Sequence, residues 1–139
     1  MAENIGVPGS LVTINARTNT KVTETVEDIG SEHNVHIITI RLYDTDIMQV
    51  RYAEGRTVMG VYFPCVGHTR TVTLNAGGYR TPTTKRRINE AAKALGLVLR
   101  VVQKDSHWYI TQPRYGLCLF EDNATWVDDS VSGKVIRLT

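Results

Sequence analysis

The sequence predicts an α+β domain, mainly antiparallel β-sheet with one central helix over about residues 82–95 packed on it. Three observations carry this. Short runs with the two-residue alternation of strands recur along the chain. One segment alone carries a helical apolar stripe between a start and a stop signal. The connections are short, which favours antiparallel neighbours over parallel crossovers. The 139 residues are the size of one domain, and an apolar fraction of 42% is enough to build a core.

Taken in order, Met1 to Ser10 reads as a loose segment, broken by Gly6, Pro8 and Gly9. Lys21 to Val26 is a short Thr-rich strand, and Ile29 to Asn34 a polar turn. His36, Ile38, Ile40 and Leu42 alternate with Ile37, Thr39 and Arg41 as one apolar strand face. Asp44 to Asp46 reads as a tight turn into a strand over Ile47 to Tyr52. A second turn is expected at Ala53 to Gly55, a strand over Thr57 to Phe63 and a connection over Pro64 to His68. Thr69 to Asn75 is a strand stopped by Ala76, Gly77 and Gly78. Thr81 then suits an N-cap and Pro82 the first helical position. Ile88, Ala91, Ala92 and Leu95 make the buried stripe, and Gly96 the stop. Leu97 to Gln103 and His107 to Thr111 read as a hairpin turning at Lys104, Asp105 and Ser106. Leu117 to Phe120, Thr125 to Val127 and Lys134 to Leu138 complete the strands.

Charge is unevenly distributed although the net value is only +2. Gly55 to Asn89 holds no acid but carries Arg56, Arg70, Arg80, Lys85, Arg86 and Arg87. The acids gather at Glu24, Glu27, Asp28 and Glu32, and at Glu121, Asp122, Asp128 and Asp129. A basic and an acidic face are one reading; solvated side chains on several faces are the other. No run reaches the ~20 apolar residues of a membrane span. No basic stretch followed by an apolar run opens the chain, so a cytosolic protein with Cys65 and Cys118 reduced is expected.

The chemistry concentrates between Thr71 and Asn89, TVTLNAGGYRTPTTKRRIN. The first turn of a helix presents unpaired N–H groups and partial positive charge, which suits a phosphate or carboxylate. Gly77 and Gly78 let backbone approach a ligand, and Thr81, Thr83 and Thr84 offer hydroxyl donors. Arg80, Lys85 and Arg86 supply charge, and Tyr79 a ring on which a base could stack. These residues form the candidate ligand site. The plainer alternative has the glycines making the turn, Thr81 capping, and Tyr79 and Ile88 packing. Neither a phosphate-binding Walker loop nor a dinucleotide fingerprint is present, and no catalytic residue stands out, so binding is favoured over catalysis. Cys65 and His68 are half of a metal motif that lacks its second half, so no metal or other cofactor is expected. Asp44 and Asp46 are expected to bond their own turn, and Asp128 and Asp129 to be solvated in a loop.

The same run resembles a widespread group of small, mostly uncharacterised proteins of tailed bacteriophages that share TVTLNxGG(Y/W)RTxTTKxRIN. Segments like Ile40 to Ile47, Val101 to Ile110 and Phe120 to Asp122 also fit that group, so the resemblance covers about Ile38 to Asn123. Tyr79 stands where Trp is commoner, Val58 to Val66 looks inserted, and the chain before about residue 35 is additional. The resemblance implies a phage origin and an accessory role in the host cytoplasm, and it transfers no catalytic residues. The expected function is non-enzymatic binding of a phosphate-bearing small molecule, such as a nucleotide signal of host defence. A homo-oligomer would enclose such a ligand most readily. The alternatives are a nucleic-acid-binding accessory of phage replication or transcription, and a virion or assembly protein with exposed apolar patches. No membrane partner is expected.

Overall fold

A computed structural model describes residues 3–6, 13–16, 19–28, 33–58, 61–63, 69–78, 80–112 and 116–138. Among them are twelve strands and one helix: β1 (Glu3–Gly6), β2 (Thr13–Ala16), β3 (Thr20–Asp28), β4 (His33–Leu42), β5 (Thr45–Val58), β6 (Val61–Phe63), β7 (Thr69–Leu74), α1 (Pro82–Ala94), β8 (Val101–Lys104), β9 (His107–Gln112), β10 (Gly116–Leu119), β11 (Thr125–Asp129) and β12 (Lys134–Arg137). The expected α+β architecture is the one observed. The largest sheet runs β12-β11-β7-β5-β4-β3, with β6 paired to β5. A second sheet runs β10-β9-β8, and β1 pairs with β2. Every pairing is antiparallel.

The alternation read in the sequence positions the core. Ile38, Ile40 and Leu42 of β4 share a face with Met48 and Val50 of β5, Val72 and Leu74 of β7, Trp126 of β11 and Val135 of β12. The β8–β10 sheet contributes Val101, Trp108 and Ile110 to the same core, and Trp108 meets Phe120 edge-on at 5.4 Å. Helix α1 adds Ile88, Ala91, Ala92 and Leu95. The two alanines let the helix backbone come close to its neighbours, and the long side chains of α1 stay on the opposite side. Asn89 fastens α1 to the β8 strand: its side-chain amide donates to the Val101 carbonyl (2.9 Å) and its oxygen accepts from the Val101 N–H (2.8 Å).

Several boundaries differ from the sequence reading, each for an identifiable reason. Ala53 to Gly55 is not a turn, because β5 continues its ladder there against His33 to Val35. The β4–β5 turn is made by Tyr43 and Asp44, and Asp46 lies in β5, where its carboxylate accepts from Arg41 at 2.8 Å. Ile47 is the extra residue of a bulge opposite Ile40 and Arg41, and it is buried. Leu97 to Arg100 is not strand, because Asp128 captures the amides of Val98 and Leu99. The terminal segment read as loose contains β1, which pairs with β2. The hairpin turn is as expected: Asp105 and Ser106 have φ of 51° and 66° between β8 and β9.

The acids do not form one solvated face. Asp128 is fully buried, and its carboxylate accepts from Val98 N–H (2.9 Å) and Leu99 N–H (2.7 Å), correcting the expected solvated loop. Glu24 turns inward to His36, with 2.6 Å between Oε1 and Nδ1, and the His36 ring stacks on Tyr52. No helix among the described residues is long and apolar enough to cross a membrane.

Candidate functional site

At the β7–α1 connection, where the ligand site is expected, backbone amides meet acceptors from the chain itself. β7 ends at Leu74, and Asn75 folds its side-chain oxygen back to accept from Gly77 N–H at 2.9 Å. The Asp122 carboxylate accepts from Ala76 N–H (2.8 Å) through one oxygen and from Gly78 N–H (3.3 Å) through the other. Gly77 and Gly78 adopt φ of 62° and 80°, which opens these amides towards the carboxylate. At Gly77 a Cβ would also lie 2.8 Å from the Thr45 hydroxyl, so glycine is required twice over. Neighbouring backbone bonds close the corner: Asn123 N–H donates to the Leu74 carbonyl and Leu74 N–H to that of Ala124.

The helix start is also largely provided for. The Thr81 hydroxyl accepts from Thr84 N–H at 3.2 Å and lies 3.0 Å from the Thr84 hydroxyl, as an N-cap does. Pro82 has no N–H, and Lys85 N–H donates to the Thr81 carbonyl. Thr81, Thr83 and Thr84 line an open cavity of about 520 Å³ with Leu42, Tyr43, Asp44, Thr45, Ile47 and Ala76. Among the described residues the charged side chain in that lining is Asp44, an acid. Arg80 is directed elsewhere: its guanidinium donates to the Phe120 carbonyl at 3.4 Å and lies 5.2 Å from the centre of the Phe120 ring. Tyr79 lies outside the described residues, as do Cys65 and His68.

Lys85 and Arg86 belong to a different surface. They line a groove of about 440 Å³ with Asn89, Glu90, Lys93 and Arg100. Lys85 Nζ donates to Gln103 Oε1 at 3.3 Å, which holds the ammonium over the β8 side of the groove. Glu90, the acid of the lining, accepts from Arg87 at 3.3 Å. Arg100 folds its guanidinium over the Leu97 and Leu99 carbonyls, both at 2.7 Å. Arg86 and Lys93 are exposed, with no acceptor among the described residues. The expected constellation is therefore divided. Glycines, cap and Arg80 organise the turn, whereas the free positive charge lies along the outer side of α1.

Lys93 and Arg100 were not among the expected site residues, although Lys93 follows Lys85 and Arg86 at helical spacing (i+8 and i+7) and so shares their side. Asp122 and Asp128 were also missed as structural anions. For Asp128 the signal was present, since it stands two residues after Trp126 on a strand and must share its inward face. Next to Asp122 in the chain, Glu121 accepts from Arg137 at 2.8 Å; this bond holds the Glu121 carboxyl below its ordinary range and the Arg137 guanidinium above its own. No protein-family model, curated protein or solved structure matches this chain.

Proposed function

We propose that the protein is a non-enzymatic binder of phosphate-bearing ligands, and that its ligand is a nucleic acid held along the outer side of α1. One observation carries this reading: Lys85, Arg86, Lys93 and Arg100 line a single open groove in which the one acid among the described residues, Glu90, is engaged by Arg87. An open groove suits successive phosphates of a strand, each met by a point charge. An enclosed mononucleotide needs convergent donors instead. At the glycine turn the amides that would converge already hold Asn75 and Asp122. The resemblance to phage proteins makes replication or transcription in an infected cell the natural setting for such an accessory.

The test is equilibrium binding of fluorescein-labelled oligonucleotides at low salt, with ATP and cyclic dinucleotides as competitors. Affinity should rise with oligonucleotide length, and Lys85→Ala, Arg86→Ala and Lys93→Ala combined should weaken it at least ~30-fold, as expected when several phosphate contacts are lost. Tight binding of one mononucleotide, indifferent to those three substitutions, would refute the reading.

A further inference from the structure

Beside the groove lies a surface of different character. On the β8–β9–β10 sheet, Val101, Trp108 and Ile110 point into the core. Strand alternation therefore directs Val102, Tyr109, Thr111, Leu117 and Leu119 to the other face. Register places Val102, Tyr109 and Leu119 in one row across the three strands, and Thr111 and Leu117 in the next. Arg100 continues that second row, since Thr111 N–H donates to its carbonyl at 2.9 Å. Tyr109 is partly exposed at the middle strand, and Leu117 and Leu119 are each 45% exposed. Such a face is apolar in the row of Val102, Tyr109 and Leu119, with the Tyr109 ring at its centre, and Lys104 and His107 pair in the row beyond it.

Position and charge indicate what it meets. Asn89 ties α1 to Val101 of β8, so the groove adjoins this face along the β8 edge. Arg100 belongs to both surfaces, and Lys104 ends the same strand. Cations beside an aromatic-centred sheet face complement a strand whose phosphates run on one side and whose bases turn to the other. Duplex nucleic acid shows only base edges in its grooves and has no free base face to stack on a tyrosine ring. We infer that the ligand is a single strand, with its backbone in the α1 groove and its bases stacked on Tyr109 and the flanking aliphatic side chains of β8–β10. This rests on the groove reading above and adds the ligand's class.

The experiment compares an oligothymidylate of about 15 nucleotides with the same strand in a duplex, for the full chain and for Tyr109→Ala and Tyr109→Phe. The single strand should bind at least ~10-fold tighter than the duplex. Tyr109→Ala should weaken single-strand binding by about 5- to 160-fold, the range for losing one stacked base. Its salt dependence should not change, and Tyr109→Phe should bind nearly as wild type. Photocrosslinking of a 5-bromouracil-substituted strand to the wild-type chain gives a readout that needs no variant to fold, and the crosslinks should map to β8–β10. Equal affinity for duplex, a neutral Tyr109→Ala, or crosslinks confined to other elements would overturn the inference and leave the groove reading standing. A dimer in sedimentation that Leu117→Asp combined with Leu119→Asp dissolves would overturn it likewise. Failure of every oligonucleotide to bind the wild type would remove both.

Discussion

The glycine turn before α1 and the outer side of α1 are neighbours in sequence with opposite electrostatic states. In the turn, donors meet acceptors from the same chain: Gly77 meets Asn75, Ala76 and Gly78 meet Asp122, and Thr84 meets Thr81. Along the helix side, cations outnumber their acceptors, and Arg86 and Lys93 face solvent. The difference teaches that backbone geometry able to hold an anion does not by itself mark a ligand site. A carboxylate three strands away in sequence can be the anion, and then the motif is a clasp between β7–α1 and β10–β11. Charge left over after the fold has met its internal needs is the better guide to a partner.

Substitutions on the two sides should therefore separate stability from binding. The largest stability effect is expected from Asp128→Ala, which would orphan the part-buried amide of Val98 and the buried amide of Leu99. At ~1–3 kcal/mol for each unmet group, urea unfolding should show a loss of about 2–6 kcal/mol, with no change in the binding of the folded fraction. Asp122→Ala opens the turn amides and should cost about 1–3 kcal/mol. Its oligonucleotide affinity should match wild type. A gain in phosphate affinity on removing that carboxylate would show instead that the turn is a ligand cradle which Asp122 occupies. Thr81→Ala removes the N-cap and should lower stability by about 1 kcal/mol, seen as a drop in melting temperature. The smallest effect concerns pH. The Glu121 carboxyl is held below its ordinary value of 4.5 by Arg137, so its stabilising contribution is full above that value and is lost as pH falls through the lowered one. Because this pair is solvent-screened, Glu121→Gln should only slightly flatten the acid limb of a stability–pH curve below 4.5.

Most of the fold was legible because local signals and tertiary contacts agree. Thr81, Pro82 and the stripe from Ile88 to Leu95 set the helix, and alternation set β4, β7 and β9. What was not legible depends on groups distant in sequence. Leu97 to Arg100 is apolar enough for a strand, yet the carboxylate of Asp128 takes its amides. Nothing near Ala53 to Gly55 announces that β4 extends to pair with it. The candidate site was legible in composition and not in direction. The run from Gly77 to Arg86 showed which groups were present, but not that Arg80 would lie on Phe120 while Lys85 reached Gln103.

The decisive quantity is the salt dependence of oligonucleotide binding, measured in parallel for the wild type and for the combined Lys85→Ala, Arg86→Ala and Lys93→Ala variant. A linear fall of log affinity with log salt is expected for the wild type, with a slope shallower by about 2 in the variant as its phosphate contacts disappear. Identical slopes for the two proteins, or a wild-type affinity indifferent to salt, would contradict a nucleic-acid surface on α1.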